Sequence, residues 1–215
     1  MIKGAVFDMD GLMFDTEKLV YQAWQRVMDS NGYDYDFEIY KKTVGRRTAE
    51  TRKFYEELYG GEFDYQRLRN EANVFFRDDI ETNGVPLKKG LVNILEYLKT
   101  HNIKIALATS TSSATAMGLL EKANVKQYFD RFVCGNMVKN GKPHPEVFLT
   151  AAKELCLKPE SCIALEDSIN GIKSAYNAGM KPLMVPDLLE PTEEIKPMLF
   201  ALCKDLDEAI EYFKQ

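Results

Sequence analysis

The stretch Ile2-Lys3-Gly4-Ala5-Val6-Phe7-Asp8-Met9-Asp10-Gly11 is a short apolar run that stops on two carboxylates one residue apart. Ala5, Val6 and Phe7 are too few for a helix and predict a buried strand. Gly11 predicts a turn in which the backbone can approach a ligand closely. Asp8 and Asp10 thus fall at a strand's carboxyl end, where a turning chain lets both converge on one point. Converging carboxylates repel unless a cation or a proton separates them. A hard ion such as Mg2+ needs only one or two carboxylates beside a substrate phosphate and its own waters. In such a site Asp8 is placed to attack phosphorus and form an aspartyl-phosphate, and Asp10 to act as general acid and base. Turn chemistry alone also accounts for Asp-x-Asp-Gly, so the rest of the chain has to decide.

Downstream, Asp15-Thr16-Glu17 is a helix start, and Leu19, Val20, Ala23, Trp24, Val27 and Met28 form a stripe at helical spacing that reads as core. Four helices and no strand are expected between residues 15 and 83. Beyond them strands and helices alternate, with strands at 103–108, 132–135, 161–165, 182–185 and 200–202 and a last helix at 206–213. Alternation of this kind predicts an α/β fold, a Rossmann-like parallel sheet covered by helices on both faces. Residues 1–14 and 84–215 would form this core and residues 15–83 an inserted helical bundle. The crossings, Phe14-Asp15-Thr16 and Asn83-Gly84-Val85-Pro86, carry residues suited to a hinge.

A length of 215 residues allows one large domain plus a smaller insert, and a net charge of −5 argues against nonspecific nucleic-acid binding. No apolar run approaches bilayer length, and the amino-terminal run, broken by Asp8 and Asp10, is unlike a secretory signal. The expectation is a cytoplasmic protein with neither nucleic-acid nor membrane partners, a monomer by default. Cys134, Cys156, Cys162 and Cys203 lack C-x-x-C spacing and read as buried free thiols. With only His101 and His144, a Cys/His zinc site is excluded as the reading.

In an open parallel sheet ligands bind beyond the carboxyl ends of the strands. Those ends carry Asp8 and Asp10, Thr109 and Ser110, and Glu166 and Asp167, while Lys142 lies in the loop Asn140-Gly141-Lys142-Pro143-His144-Pro145 ahead of a helix. Helix capping, a surface lysine and an acidic helix start would each explain one of them; together, on successive strands, they make a set for phosphoryl transfer. Asp167, with Glu166 beside it, would supply the metal's other carboxylates or order its waters. Lys142 would meet developing negative charge, and Thr109 would give phosphate a hydroxyl and Ser110 a backbone N–H. Gly11 would lie against the same phosphate. Arg46-Arg47, after Gly45 at a helix boundary, are candidates to face an anionic substrate.

These motifs resemble the haloacid dehalogenase superfamily of phosphotransferases over the whole chain. Phe7-Asp8-Met9-Asp10-Gly11 is similar to its first motif, Thr109 to the second, Lys142-Pro143 to the third and Leu165-Glu166-Asp167-Ser168 to the fourth. The helical insert is similar to the small α-helical cap of the β-phosphoglucomutase-like subgroup. The resemblance implies Mg2+, with Asp8 and Asp167 as side-chain ligands and Asp10 bound through its backbone carbonyl. It also implies that Thr16, Arg46 and Arg47 lie where the cap faces substrate. Asp10 distinguishes this chain from the dehalogenase branch, which lacks the second acid. The mutase's cap histidine is replaced by the run Glu17-Lys18-Leu19-Val20, and no lysine occurs between Val74 and Leu87 where the mutase has one. The expected activity is therefore a Mg2+-dependent phosphomonoesterase acting on a small phosphorylated metabolite, a sugar phosphate before a nucleotide. A phosphohexose mutase and a non-catalytic metal-binding scaffold are the alternatives.

Overall fold

The computed structural model describes residues 1–44 and 48–214. In chain order the elements are β1 (Gly4–Phe7), α1 (Thr16–Ser30), α2 (Phe37–Lys41), α3 (Thr48–Tyr59), α4 (Tyr65–Asn83), α5 (Leu91–Thr100), β2 (Lys104–Ala108), α6 (Ser113–Lys122), β3 (Arg131–Val133), α7 (Glu146–Glu154), β4 (Cys162–Glu166), α8 (Ile169–Asn177), β5 (Lys181–Met184), β6 (Ala201–Leu202) and α9 (Leu206–Ala209). Contacts divide them into two units, Met1–Asp15 with Val85–Gln215, and Thr16–Gly84.

The first unit is a six-stranded sheet in the order β3-β2-β1-β4-β5-β6 with every pair parallel. Parallel strands covered on both faces read as continuous apolar runs, and Ala5, Val6 and Phe7 in β1 are wholly buried. The chain builds outward from β1 to β3, then returns to β1's other side with β4. Order reverses between β1 and β4, which makes their carboxyl ends the switch point at which such sheets bind ligands. One face of the sheet is filled by Val6, Ala106, Val133, Phe148, Ala151 and Ala164, among others.

Several boundaries differ from the sequence reading. Ser161 closes a 3-10 turn, and β4 runs on to Glu166, placing that carboxylate on the strand rather than in the loop. After α9 the chain tightens into a 3-10 turn, Ile210–Phe213, so the last helix is shorter than expected. The four cysteines are free, but Cys156 is exposed rather than buried. Among the described residues no helix is long and apolar enough to cross a membrane.

The second unit consists of α1 to α4, and its core is aromatic. Trp24 of α1 lies 5.3 Å from the Tyr55 ring and 5.7 Å from the Tyr65 ring. Tyr55 is 1 % exposed and its hydroxyl pairs with that of Tyr35 at 2.9 Å. Ala23, Trp24, Val27 and Met28 of the α1 stripe are buried, as its spacing implied, while Leu19 and Val20 are half-buried. Replacing Tyr55 by Phe leaves the Tyr35 hydroxyl without this partner, a loss of about 1–3 kcal/mol for a buried polar group. The Tyr55→Phe variant should therefore unfold at lower urea, monitored by the fluorescence of Trp24, the chain's single tryptophan.

Candidate active site

Sheet hydrogen bonding continues past the strands and fixes the backbone of the residues that follow them. The Asp8 amide donates to Leu165 O at 3.0 Å, the Thr109 amide to Val133 O at 3.0 Å, and the Val185 amide to Glu166 O at 2.8 Å. The turn after β1 is closed by Gly11 N to Phe14 O and Met13 N to Met9 O, and is held to residues 86–88 through Asp15 N to Pro86 O and Lys88 N to Met13 O.

Lys142 joins three strand ends. Its side chain is 7 % exposed and donates to Asp8 Oδ1, to Glu166 Oε1 at 2.6 Å and to Ala108 O at 2.9 Å. Its ammonium also lies 5.0 Å from the centre of the Phe148 ring. The loop that carries it is tied at both ends. The Glu146 carboxylate accepts from the amides of Lys139 and Asn140, and the Ser174 hydroxyl donates to His144 O at 2.7 Å.

Glu166 is fully buried, and both of its oxygens are engaged. Oε1 accepts from Lys142, while Oε2 accepts from the Asp167 and Ser168 amides and the Ser168 hydroxyl at 3.0 to 3.1 Å. Its charge is met by an ammonium on one side and by the amino end of α8 on the other. The helix approaches so closely that a Cβ at Gly171 would stand 1.8 Å from Glu166 Oε1. Glu166, expected among the metal carboxylates or the groups that order the metal's waters, takes four donors here and so also anchors Lys142.

Asp8, Glu166 and Asp167 offer oxygens that all lie within 4.8 Å of one another. Gly11, at φ +81°, lies against this group, and a Cβ there would come within 2.3 Å of Asp167 Oδ2. The expectation that Gly11 meets phosphate needs revision, because its N–H is spent on Phe14 O; what the glycine contributes is space beside Asp167. Asp10 Oδ2 accepts from the Thr111 hydroxyl at 2.6 Å, and the Thr111 amide donates to the buried Thr109 hydroxyl oxygen at 3.0 Å. Ser110 is exposed, with its carbonyl against Gly135. Thr16 is the first residue of α1 in the other unit. Arg46 and Arg47 lie outside the described residues.

The haloacid dehalogenase-like hydrolase family profile matches residues 5–185. The chain belongs to that family. A phosphorylated carbohydrates phosphatase of Thermotoga maritima is 33 % identical over 184 residues, covering 84 % of this chain and 83 % of the relative. Fructose-1-phosphate phosphatase of Escherichia coli is 32 % identical over 177 residues, covering 82 % and 93 %. Among solved structures, a β-phosphoglucomutase from Clostridium difficile superposes with a TM-score of 0.79 at 27 % identity, covering 100 % of this chain and 96 % of that one.

Within this haloacid dehalogenase-like site, Thr111 and Ser168 were not singled out by sequence reasoning. Both stand in stretches that were read for something else: Thr111 two residues past Thr109, and Ser168 as part of a helix start. Their roles depend on where the hydroxyls point, which spacing does not give.

Burial, opposed by Lys142 and reinforced by Glu166 and Asp10, raises the Asp8 carboxyl from 3.8 to about 8. Burial also acts against the Lys142 ammonium, but Asp8 and Glu166 outweigh it and hold its pKa above the ordinary lysine value. Free of divalent cations, the folded chain then keeps on Asp8 a proton that the unfolded chain releases near 3.8. The stabilising contribution is complete below that value and is lost as pH rises from about 4 through about 8, because the folded state binds more protons across that window. Thermal melts in chelator should fall over this range for the wild-type chain, and Asp8→Asn should flatten the slope.

Proposed function

We propose that this chain is a Mg2+-dependent phosphomonoesterase that hydrolyses a small phosphorylated metabolite, a sugar phosphate, through an aspartyl-phosphate on Asp8. The observation that carries this reading is the convergence on Asp8 of Lys142 and Asp167, from separate loops at the sheet's switch point. Relatives that act, by name, on phosphorylated carbohydrates and on fructose 1-phosphate support the substrate class.

The donor set fits a hard divalent cation. Asp8 and Asp167 are oxygen donors within the 4.8 Å group, and the space beside Gly11 adjoins Asp167. Asp8 and Asp167 would hold the ion by side chains and Asp10 by its carbonyl. When bound, Mg2+ supplies positive charge that lets a carboxylate and a phosphate approach each other.

The Asp8 carboxylate attacks phosphorus and forms a new P–O bond while the ester P–O bond breaks. Asp10 gives its proton to the departing alcohol oxygen, then takes one from a water that attacks the aspartyl-phosphate; inorganic phosphate leaves and Asp8 is regenerated. Thr111 keeps the Asp10 carboxylate turned to one side through its hydroxyl. Lys142, fixed by Glu166, is the cation for charge that builds up on the phosphoryl oxygens, and Thr109 and Ser110 are the phosphate donors on the β2 side. The helical unit, as a cap, is assigned selection of the rest of the substrate, with Thr16, Arg46 and Arg47 as its candidate contacts.

A panel of phosphorylated metabolites assayed for released phosphate tests the reading. Sugar phosphates should be turned over, and Asp8→Asn should abolish turnover with the fold intact. Asp10→Asn should lower kcat by about 10²–10⁴-fold, the usual worth of a positioned acid–base group. Full activity in Asp8→Asn would sink the nucleophile assignment. Conversion of a hexose 1-phosphate to its 6-phosphate, without free phosphate, would replace phosphatase by mutase.

A further inference from the structure

Asp187 follows β5 and stands apart from the four motifs at the strand ends. One of its oxygens, Oδ1, accepts from Lys88 Nζ at 2.6 Å, with the aspartate side chain 8 % exposed and that of the lysine 21 %. The other, Oδ2, is buried and has no hydrogen-bond partner. It also lies beside Gly11 and Asp167, at the edge of the candidate site. The same hypothetical Cβ on Gly11 that lies 2.3 Å from Asp167 Oδ2 lies 3.2 Å from Asp187 Oδ2, so the two carboxylates flank one small space. Topology puts them there. β4 and β5 pair in parallel with Glu166 opposite Met184, so the chain leaves both strands side by side, Asp167 from one and Asp187 from the other.

A buried carboxylate oxygen without a donor is costly. It persists where a donor arrives with a ligand. Asp187 stands outside the group formed by Asp8, Glu166 and Asp167, so it is not placed as a direct ligand. A place beside Asp167 but outside that group belongs to the next shell outward. Mg2+ keeps several waters at about 2.0–2.1 Å, and a water bonded onward to a carboxylate adds roughly 2.5–2.7 Å. An acceptor a little beyond the direct ligands is where such a water needs one. Lys88 meanwhile holds the opposite oxygen, and its backbone is bonded to the β1 turn through Met13 O, so the carboxylate is fixed before any ion arrives.

We propose that Asp187 is an outer member of the divalent-cation site, accepting a hydrogen bond from a water on the ion held by Asp8 and Asp167. It is a positioning residue, and the assignment rests on the metal reading given under Proposed function. Carboxylates of this kind orient what binds the metal, and their removal weakens metal affinity by about 10–100-fold.

The test is direct titration of the substrate-free full chain with Mn2+, followed by electron paramagnetic resonance, and with Mg2+, followed by the metal-dependent rise in melting temperature. Asp187→Ala and the near-isosteric Asp187→Asn are compared with wild type and with Asp167→Ala. Loss of binding in Asp167→Ala, together with Mn2+ binding at least threefold weaker in Asp187→Ala and a smaller Mg2+-dependent rise in melting temperature, is the expected result. If Asp187→Ala does not fold in chelator, Asp187→Asn is read in its place. Binding within threefold of wild type in the Asp187 variants, with Asp167→Ala inactive in binding, overturns the Asp187 assignment and leaves the metal site standing; Oδ2 then faces only ordinary water. Unchanged binding in Asp167→Ala overturns the metal reading itself.

Discussion

The arrangement depends on one buried ammonium. Lys142 reaches from the loop ahead of α7 to Asp8 at the end of β1, Ala108 O at the end of β2 and Glu166 at the end of β4. Three strand ends that otherwise diverge with the twist of the sheet are thereby held to a common centre. The cation is itself held by charge. Its side chain is 7 % exposed and that of Glu166 is wholly buried, so taking away either one would leave the other buried with part of its compensation gone, a loss on the order of 3 kcal/mol.

Glu166 keeps its place because α8 begins where it does. Ser168 caps the helix by accepting from the Gly171 amide, while its own hydroxyl and amide donate back to Glu166 Oε2. One residue thus terminates a strand, starts a helix and orients the carboxylate that orients Lys142. Gly171 is what allows the helix this near, since any side chain there would occupy the space of the carboxylate. The dependency runs from helix start to carboxylate to ammonium to Asp8, so the position of Asp8 is set by packing on the far side of β4.

The sheet and the residues at its strand ends were legible because their signals are local. An apolar run that stops on Asp8 and a proline ahead of α7 each state their structure within a few residues. Pairings across long separations were not. Lys88 meets Asp187 across 99 residues and Thr111 meets Asp10 across 101, and nothing in either segment names the other. The anchoring of Lys142 by Glu166 was hidden for a related reason. Composition shows a carboxylate beside Asp167, but which donors its oxygens take depends on how the Asp167 and Ser168 amides and Lys142 fold back onto it in three dimensions. Gly11 is the same case, since its N–H turned inward to Phe14 O instead of outward to a ligand.

The charge pattern also orders binding. Asp8, Asp10, Glu166 and Asp167 bring four carboxylates to one rim, and Lys142 is the ammonium the structure shows among them. Glu166 and Asp8 share that ammonium, and the amides ahead of α8 meet Glu166 as well. A phosphate dianion nearing Asp8 meets this cluster of acids together with Lys142, and burial weakens the screening that water would provide. In the proposed reaction the aspartates therefore have to acquire a divalent cation before they can accept an anion. On the proposed reading, an acidic protein with a net charge of −5 takes an anionic substrate through the order in which the site fills rather than through its overall field.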